Sequence, residues 1–266
     1  MYNVSNSMTR RAVRHLALAA AAVLIAACGT KEAPTGLEPT GPTGRIRFVN
    51  LINDPARNPV NAILEQLPFG VNLGYGGSTP SSLPAPNTAN YSAIYAGARS
   101  LVLKKTADTN VTVASFTVTM TENQDRTVYA VGGTGGGTVT SFSTTDDNAT
   151  AIPASQTSVR VVNLSPAAGA VDVFVTAPNA DLAAATPVAT NVAPSAASAY
   201  ANIPVITAYQ VRAVPAGTAA ANRGANVLVS ITPTAPTLGA GTGHTIIIAD
   251  KAAGGGPPTA FVLTDR

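Results

Sequence analysis

From residue 44 onward, apolar residues come in runs of about four to eight, rich in Val, Ile, Thr and Tyr, separated by Pro, Gly, Asn and Ser. That punctuation predicts strands joined by tight turns. In Val159-Arg160-Val161 the arginine alternates with apolar neighbours, which predicts one buried face and one wet face. Ala183-Ala184-Ala185 and Ala196-Ala197 favour helix by propensity, but Pro178, Pro187, Pro194 and Pro204 leave room for no more than a turn. Seven or eight short strands in about 110 residues predict an all-β sandwich with an immunoglobulin-like or transthyretin-like layout. The chain has no Trp and few aromatics, so the cores are expected to be Val, Ile, Leu and Ala.

The strand pattern occurs twice, in order. Ile46-Arg47-Phe48-Val49-Asn50-Leu51 matches Val159-Arg160-Val161-Val162-Asn163-Leu164, and Asn72-Leu73 matches Asn191-Val192. Tyr91 pairs with Tyr200, 101–103 with 211–213, 116–121 with 227–232, and 127–131 with 245–249. Both copies close on a Gly-rich turn and a Thr-Asp pair, Thr145-Asp146 and Thr264-Asp265. A period above 100 residues predicts two tandem sandwich domains, 44–150 and 151–266, rather than a solenoid.

The second copy, from Ser158 through Val173 to Thr218, reads V-R-V-V-N-L-S-P-A, then A-V-D-V-F-V, then Y-x-V-R-A and A-G-T. This pattern resembles the bacterial repeat family called domain of unknown function 4397. The resemblance implies a secreted or lipoprotein context and tandem copies, and implies no catalytic residues. The first copy departs from the pattern: Asn53-Asp54-Pro55-Ala56-Arg57-Asn58-Pro59 replaces a short turn, 76–90 is a longer loop, and Asn61 stands near the place of Asp172.

Ahead of the strands lies a different segment. Arg10, Arg11 and Arg14 precede an apolar run at 16–27, too short for a bilayer span of about 20 residues but suited to a secretory signal. The run ends in Ile25-Ala26-Ala27-Cys28, which resembles the bacterial lipobox. That resemblance implies a signal peptide over 1–27, cleavage between Ala27 and Cys28, and diacylglyceryl attachment to Cys28, with further acylation giving stable anchoring. Cys28 is the single cysteine of the chain, so no intramolecular disulfide is expected. Gly29 rather than Asp follows it, which by resemblance to sorting signals favours the outer membrane. Residues 28–43 read as anchor and Pro/Gly-rich linker, reaching about 3 Å per residue.

Charge narrows the function. The chain has 16 Lys+Arg and 13 Asp+Glu, and with the three signal-peptide arginines gone the two signs balance. No basic face is left to recommend nucleic acid as a partner. His244 is the only histidine after the signal, placed before an Ile-rich strand and expected at a surface or strand edge. Asp146-Asp147-Asn148 offers oxygen ligands for Ca²⁺, but neighbours on a strand point apart, and a polar hinge between copies is the simpler expectation. Asp172, Asp181 and Asp250 form no pair that the sequence can make converge. Gly132-Gly133-Thr134-Gly135-Gly136-Gly137 lacks the Lys-Ser/Thr and the helix of a phosphate loop and reads as a hairpin connection. Arg47 and Arg160 are expected to face outward, and Tyr91 and Tyr200 to fill a core rim with their hydroxyls reaching out.

These observations predict no cofactor, no metal and no enzyme. They favour a lipid-anchored envelope protein of binding or adhesion type, with loops 53–59 and 76–90 carrying contact to an envelope protein or glycan. The alternatives are a structural envelope lipoprotein without a ligand, and a hydrolase of envelope polymers using His244, Asp146 and Asp172.

Overall fold

The computed structural model describes residues 41–80 and 90–266. The expected signal peptide and linker up to residue 40, with Ala27 and Cys28, lie outside the described residues, as do positions 81–89 of the 76–90 loop.

The described residues of the first half form nine strands: β1 (Thr43–Ile52), β2 (Val60–Leu64), β3 (Leu67–Leu73), β4 (Ser78–Thr79), β5 (Ser92–Tyr95), β6 (Gly97–Lys105), β7 (Asp108–Met120), β8 (Asp125–Gly132) and β9 (Val139–Asp146). Strands β4, β5, β1, β8 and β9 make a five-stranded mixed sheet in which β1 runs parallel to β8. A four-stranded antiparallel sheet, β3-β2-β6-β7, covers one side of it.

The second half repeats the plan with β10 (Gln156–Leu164), β11 (Val171–Thr176), β12 (Ala189–Val192), β13 (Ala196–Ala197), β14 (Ala201–Pro204), β15 (Gln210–Pro215), β16 (Val229–Ile231), β17 (Gly243–Ala249) and β18 (Thr259–Thr264). Here β13 and β14 flank β10, which runs parallel to β17, and β12-β11-β15-β16 form the covering sheet. The all-β, multiple-sandwich architecture expected from the turn spacing is what the chain adopts. A seven-residue 3-10 turn at Ala220–Asn226 is the main element the pattern did not announce. Ala183-Ala184-Ala185 stays irregular and Ala196-Ala197 is strand, as the flanking prolines require.

Register corrects one alignment. Leu101 faces Phe116, and its counterpart Val211 faces Ile231. Phe116 is therefore equivalent to Ile231, not to Val227, because β16 is cut down to three residues and the matching apolar run before it is not strand.

The expected wet face does not exist. Along β1, Ile46 and Phe48 enter the core between the two sheets of their half, while Val49 and Leu51 enter a different cluster with Tyr129, Val162, Leu164 and Ile247. Val159 and Val161 similarly belong to the core of the second half, while Val162 and Leu164 face the first half. The alternation along these strands separates two buried faces, because the second five-stranded sheet covers the first where water was expected. Gly41–Arg266 accordingly forms one compact unit.

Close approach of the halves uses glycine. Gly76, at φ +80°, lies where a Cβ would stand 2.5 Å from the Phe261 ring, and Tyr75 meets the same ring edge-on at 5.5 Å. On the facing loop, a Cβ on Gly254, at φ +62°, would stand 2.5 Å from Thr134.

Candidate functional site

The duplicated polar residues meet at the contact between halves. The register sets Arg47 beside Thr127 and Arg160 beside Thr245 across the parallel pairs β1–β8 and β10–β17. Each guanidinium uses its Nε on that neighbour, at 3.1 Å for Arg47 and 2.9 Å for Arg160. Each then crosses to the other half. Arg47 Nη2 donates to Asp265 at 2.6 Å and Nη1 to the Thr264 carbonyl at 2.7 Å. Arg160 Nη2 donates to Asp146, and Nη1 to the Thr145 carbonyl at 3.0 Å. The tyrosines close the array: Tyr91 hydroxyl donates to Asp146 at 2.7 Å and Tyr200 hydroxyl to Asp265 at 2.9 Å. Arg47 lies 4.7 Å from the Tyr91 ring centre and Arg160 4.8 Å from that of Tyr200.

This arrangement corrects three expectations. Arg47 and Arg160 are each only 3 % exposed, not outward. The Tyr91 and Tyr200 hydroxyls turn inward to carboxylates rather than out to water. Asp146 is no open hinge ligand: its oxygens are occupied by Arg160, Thr144, Thr127 and Tyr91. Burial alone would lower both guanidinium pKa values, but Asp265 beside Arg47 and Asp146 beside Arg160 hold them above the ordinary arginine range. Burial raises the phenols of Tyr91 and Tyr200, and pushes Tyr129 up to about 12. The cluster is a charge-neutral lock of two arginines and two aspartates.

Other sequence candidates lie apart. His244 is 1 % exposed in β17, a central strand flanked by β10 and β18, so it is neither surface nor edge. Its Nε2 shares a 2.8 Å hydrogen bond with Thr242, and burial lowers its pKa. Asp172 accepts the backbone N–H groups of Asn191 and Gly217 in a different sheet. Among the described residues no hydrogen bond or ion pair joins any two of His244, Asp146 and Asp172, and no three His, Cys, Asp or Glu are grouped to hold a metal ion. Asp181 caps Ala183, and Asp250 accepts from Ser165. The 132–137 turn connects β8 and β9, and its Gly136 and Gly137 carbonyls accept from Arg57, the opposite polarity to a phosphate cradle. Loop 53–59 is likewise tied down rather than free: Asn53 and Asp54 are buried, and Asn58 bonds Asn50.

An open cleft of about 580 Å³ sits where β1 begins, beside the lock, lined by 43–45, 123–125 and 145–149. Arg45, facing Asp125 across the β1–β8 pair, grips its carboxylate through Nε at 2.6 Å, and Asn148 Nδ2 donates to the same carboxylate at 2.6 Å. The hydrogen bonds that Arg45 donates to Asp125 raise its pKa. Asp147 points the other way from Asp146, to solvent, where hydrogen bonds from Thr150 and Ala149 hold its carboxyl below the usual range. Asn148 Oδ1 is buried without a hydrogen-bond partner among the described residues. The sequence reading had Asp147 and Asn148 in view, but missed Arg45 and Asp125. Their 80-residue separation conceals a register neighbour.

Two solved structures are among those similar to this chain. One, of alpha-glucan-recognising family 41 carbohydrate-binding modules from streptococcal virulence factors, is 9 % identical, covering 82 % of this chain and 96 % of that one at a TM-score of 0.26. The other, of alpha-glucan binding by a streptococcal virulence factor, is 10 % identical, covering 77 % and 92 % at a TM-score of 0.23. At those scores the likenesses carry no argument about a ligand. No curated protein matches the chain. Residues 44–174, the whole first half and the opening strands of the second rather than the second copy that the sequence pattern favoured, match the family model described as Domain of unknown function (DUF4397), and this match supports placing the chain in that family.

Proposed function

We propose that this protein is an acyl-anchored bacterial envelope lipoprotein built from two tandem sandwich domains, and that it acts as a non-catalytic binding module whose site is the Arg45–Asp125 cleft. The lipobox-like Ile25-Ala26-Ala27-Cys28 supports the anchor, and Gly29 supports the outer membrane. One observation carries the binding site. The second half makes the same parallel strand pair with Ser158 and Gly243 where the first has Arg45 and Asp125. The strand pairing therefore does not require this ion pair, and its cost in ordered side chains needs another reason. An exposed guanidinium and a braced carboxylate stand together on one wall, with the unpartnered amide oxygen of Asn148 buried behind them. Asp125 and Asp147 disfavour an anion, so the ligand class that fits is a neutral polyhydroxyl compound such as a glycan end.

Titration of neutral oligosaccharides against the wild type and Arg45→Ser/Asp125→Gly, the residues the second half itself uses, tests the site. We expect wild-type binding and its loss in a variant of unchanged thermal stability. Binding by neither protein, or equally by both, overturns the assignment. Labelled fatty acid should enter the wild type and not Cys28→Ala; equal labelling of both removes the anchor.

A further inference from the structure

We infer that β7 is an association edge, at which two copies of this protein pair antiparallel. This is independent of the cleft. Strand β7 is the longest of the structure, at 13 residues, and among the described residues it pairs only with β6. No charged residue and no proline occurs over 109–121. Such an edge is a template for another strand, and proteins normally guard it with charge, proline or brevity.

The same molecule shows what a guarded edge looks like. The equivalent strand β16 has three residues and is followed by Pro233 and Pro236. At the opposite edge of the β7 sheet, β3 contains Pro68 and pairs through register shifts. The edge strands β9 and β18 instead carry Phe142, Phe261 and Leu263 into the contact between halves. One edge of one duplicated plan has been lengthened and stripped of its guards, which the fold does not require.

A second β7 fits this edge. Ser115, Thr117 and Thr119 face solvent, while Phe116, Val118 and Met120 face the core, so antiparallel pairing would set a hydroxyl ladder on one face and extend the apolar layer on the other. Val111, 45 % exposed, would be covered. At the ends, Lys104 and Lys105, together with Asp108, lie at the start of β7, and Glu122 follows its end. Antiparallel pairing brings two lysines and one aspartate of one copy near the glutamate of the other, a net attraction.

The test is the molecular mass of the full protein in mild detergent, by sedimentation, for the wild type, Ser115→Lys/Thr117→Lys and Ser115→Glu/Thr117→Glu. We expect a dimeric wild type, monomeric single-sign variants, and a dimer again when the two variants are mixed, a rescue that shared micelles cannot mimic. A monomeric wild type at about 100 μM, a protein above the micromolar range in which a weak specific dimer forms, overturns the inference, as do variants as dimeric as the wild type. Amide exchange on the wild type reads the same edge without substitution: protection over 112–120 should rise with protein concentration, and a concentration-independent pattern contradicts the pairing.

Discussion

Arg47 and Asp265 meet at 2.6 Å although 218 residues separate them, while their counterparts Arg160 and Asp146 are 14 residues apart. The two contacts are nonetheless the same: each half gives its arginine to the other half's carboxylate and takes one back. That reciprocity is the signature of a two-fold interface, here made within one chain.

Loss of one partner leaves a buried charge. Asp265→Leu or Arg47→Met alone should cost about 3–5 kcal/mol, whereas the two together should recover part of it, since the apolar pair removes the uncompensated charge and leaves only the Tyr200 and Thr245 hydroxyls without their acceptor. Urea unfolding of both singles and the double gives the coupling. Singles costing under about 1 kcal/mol would mean that the pair is not desolvated as placed.

The glycine contact makes a sharper steric test. Gly76→Ala drives a methyl group into Phe261 at a backbone angle alanine disfavours, and should cost about 1–3 kcal/mol. Gly224→Ala, with open space around it and no positive φ, should be close to neutral. Thermal melts of the two variants should separate clearly.

His244 sets an acid limit. Its folded pKa lies below its ordinary value because burial disfavours the charged form, so the unfolded chain takes up the proton first. Its contribution is complete above about pH 6.5 and is lost as the pH falls from there through the folded value. The melting temperature of the wild type should therefore drop more steeply between about pH 7 and pH 5 than that of His244→Gln. Parallel curves would refute this.

Asn61 and Asp172 show how far the sequence could be read. As letters they differ, and the difference looked like a departure from the repeat. As acceptors they agree: Asn61 Oδ1 receives the N–H of Asn72, and Asp172 that of Asn191, each asparagine held at positive φ near +55°. Asn61→Asp should thus be tolerated within about 1 kcal/mol, and Asn61→Ala should cost about 1–3 kcal/mol, read by urea unfolding.

The strands, their order and the two-sheet plan were legible because periodicity and turn residues are local signals. The fate of Arg160 was not. Alternation states that Arg160 and Val161 face opposite ways, and cannot state whether water or another sheet lies beyond the arginine. His244 and Tyr91 were misplaced for the same reason, and Arg45 was overlooked because its partner Asp125 is set by parallel register. Repetition of Arg, Tyr and Asp at matching positions was the available clue: these repeated charged and phenolic groups meet at the contact between the halves, whereas repeated asparagines such as Asn50 and Asn163 bond within their own half.

Scanning calorimetry of the full chain tests the union of the halves most directly. With one shared apolar layer and two exchanged ion pairs, 41–266 should unfold in a single transition whose calorimetric and van't Hoff enthalpies agree, and Arg47→Met with Arg160→Met should move the whole transition down. Two resolved transitions in the wild type, with the arginine substitutions leaving both in place, would contradict the account.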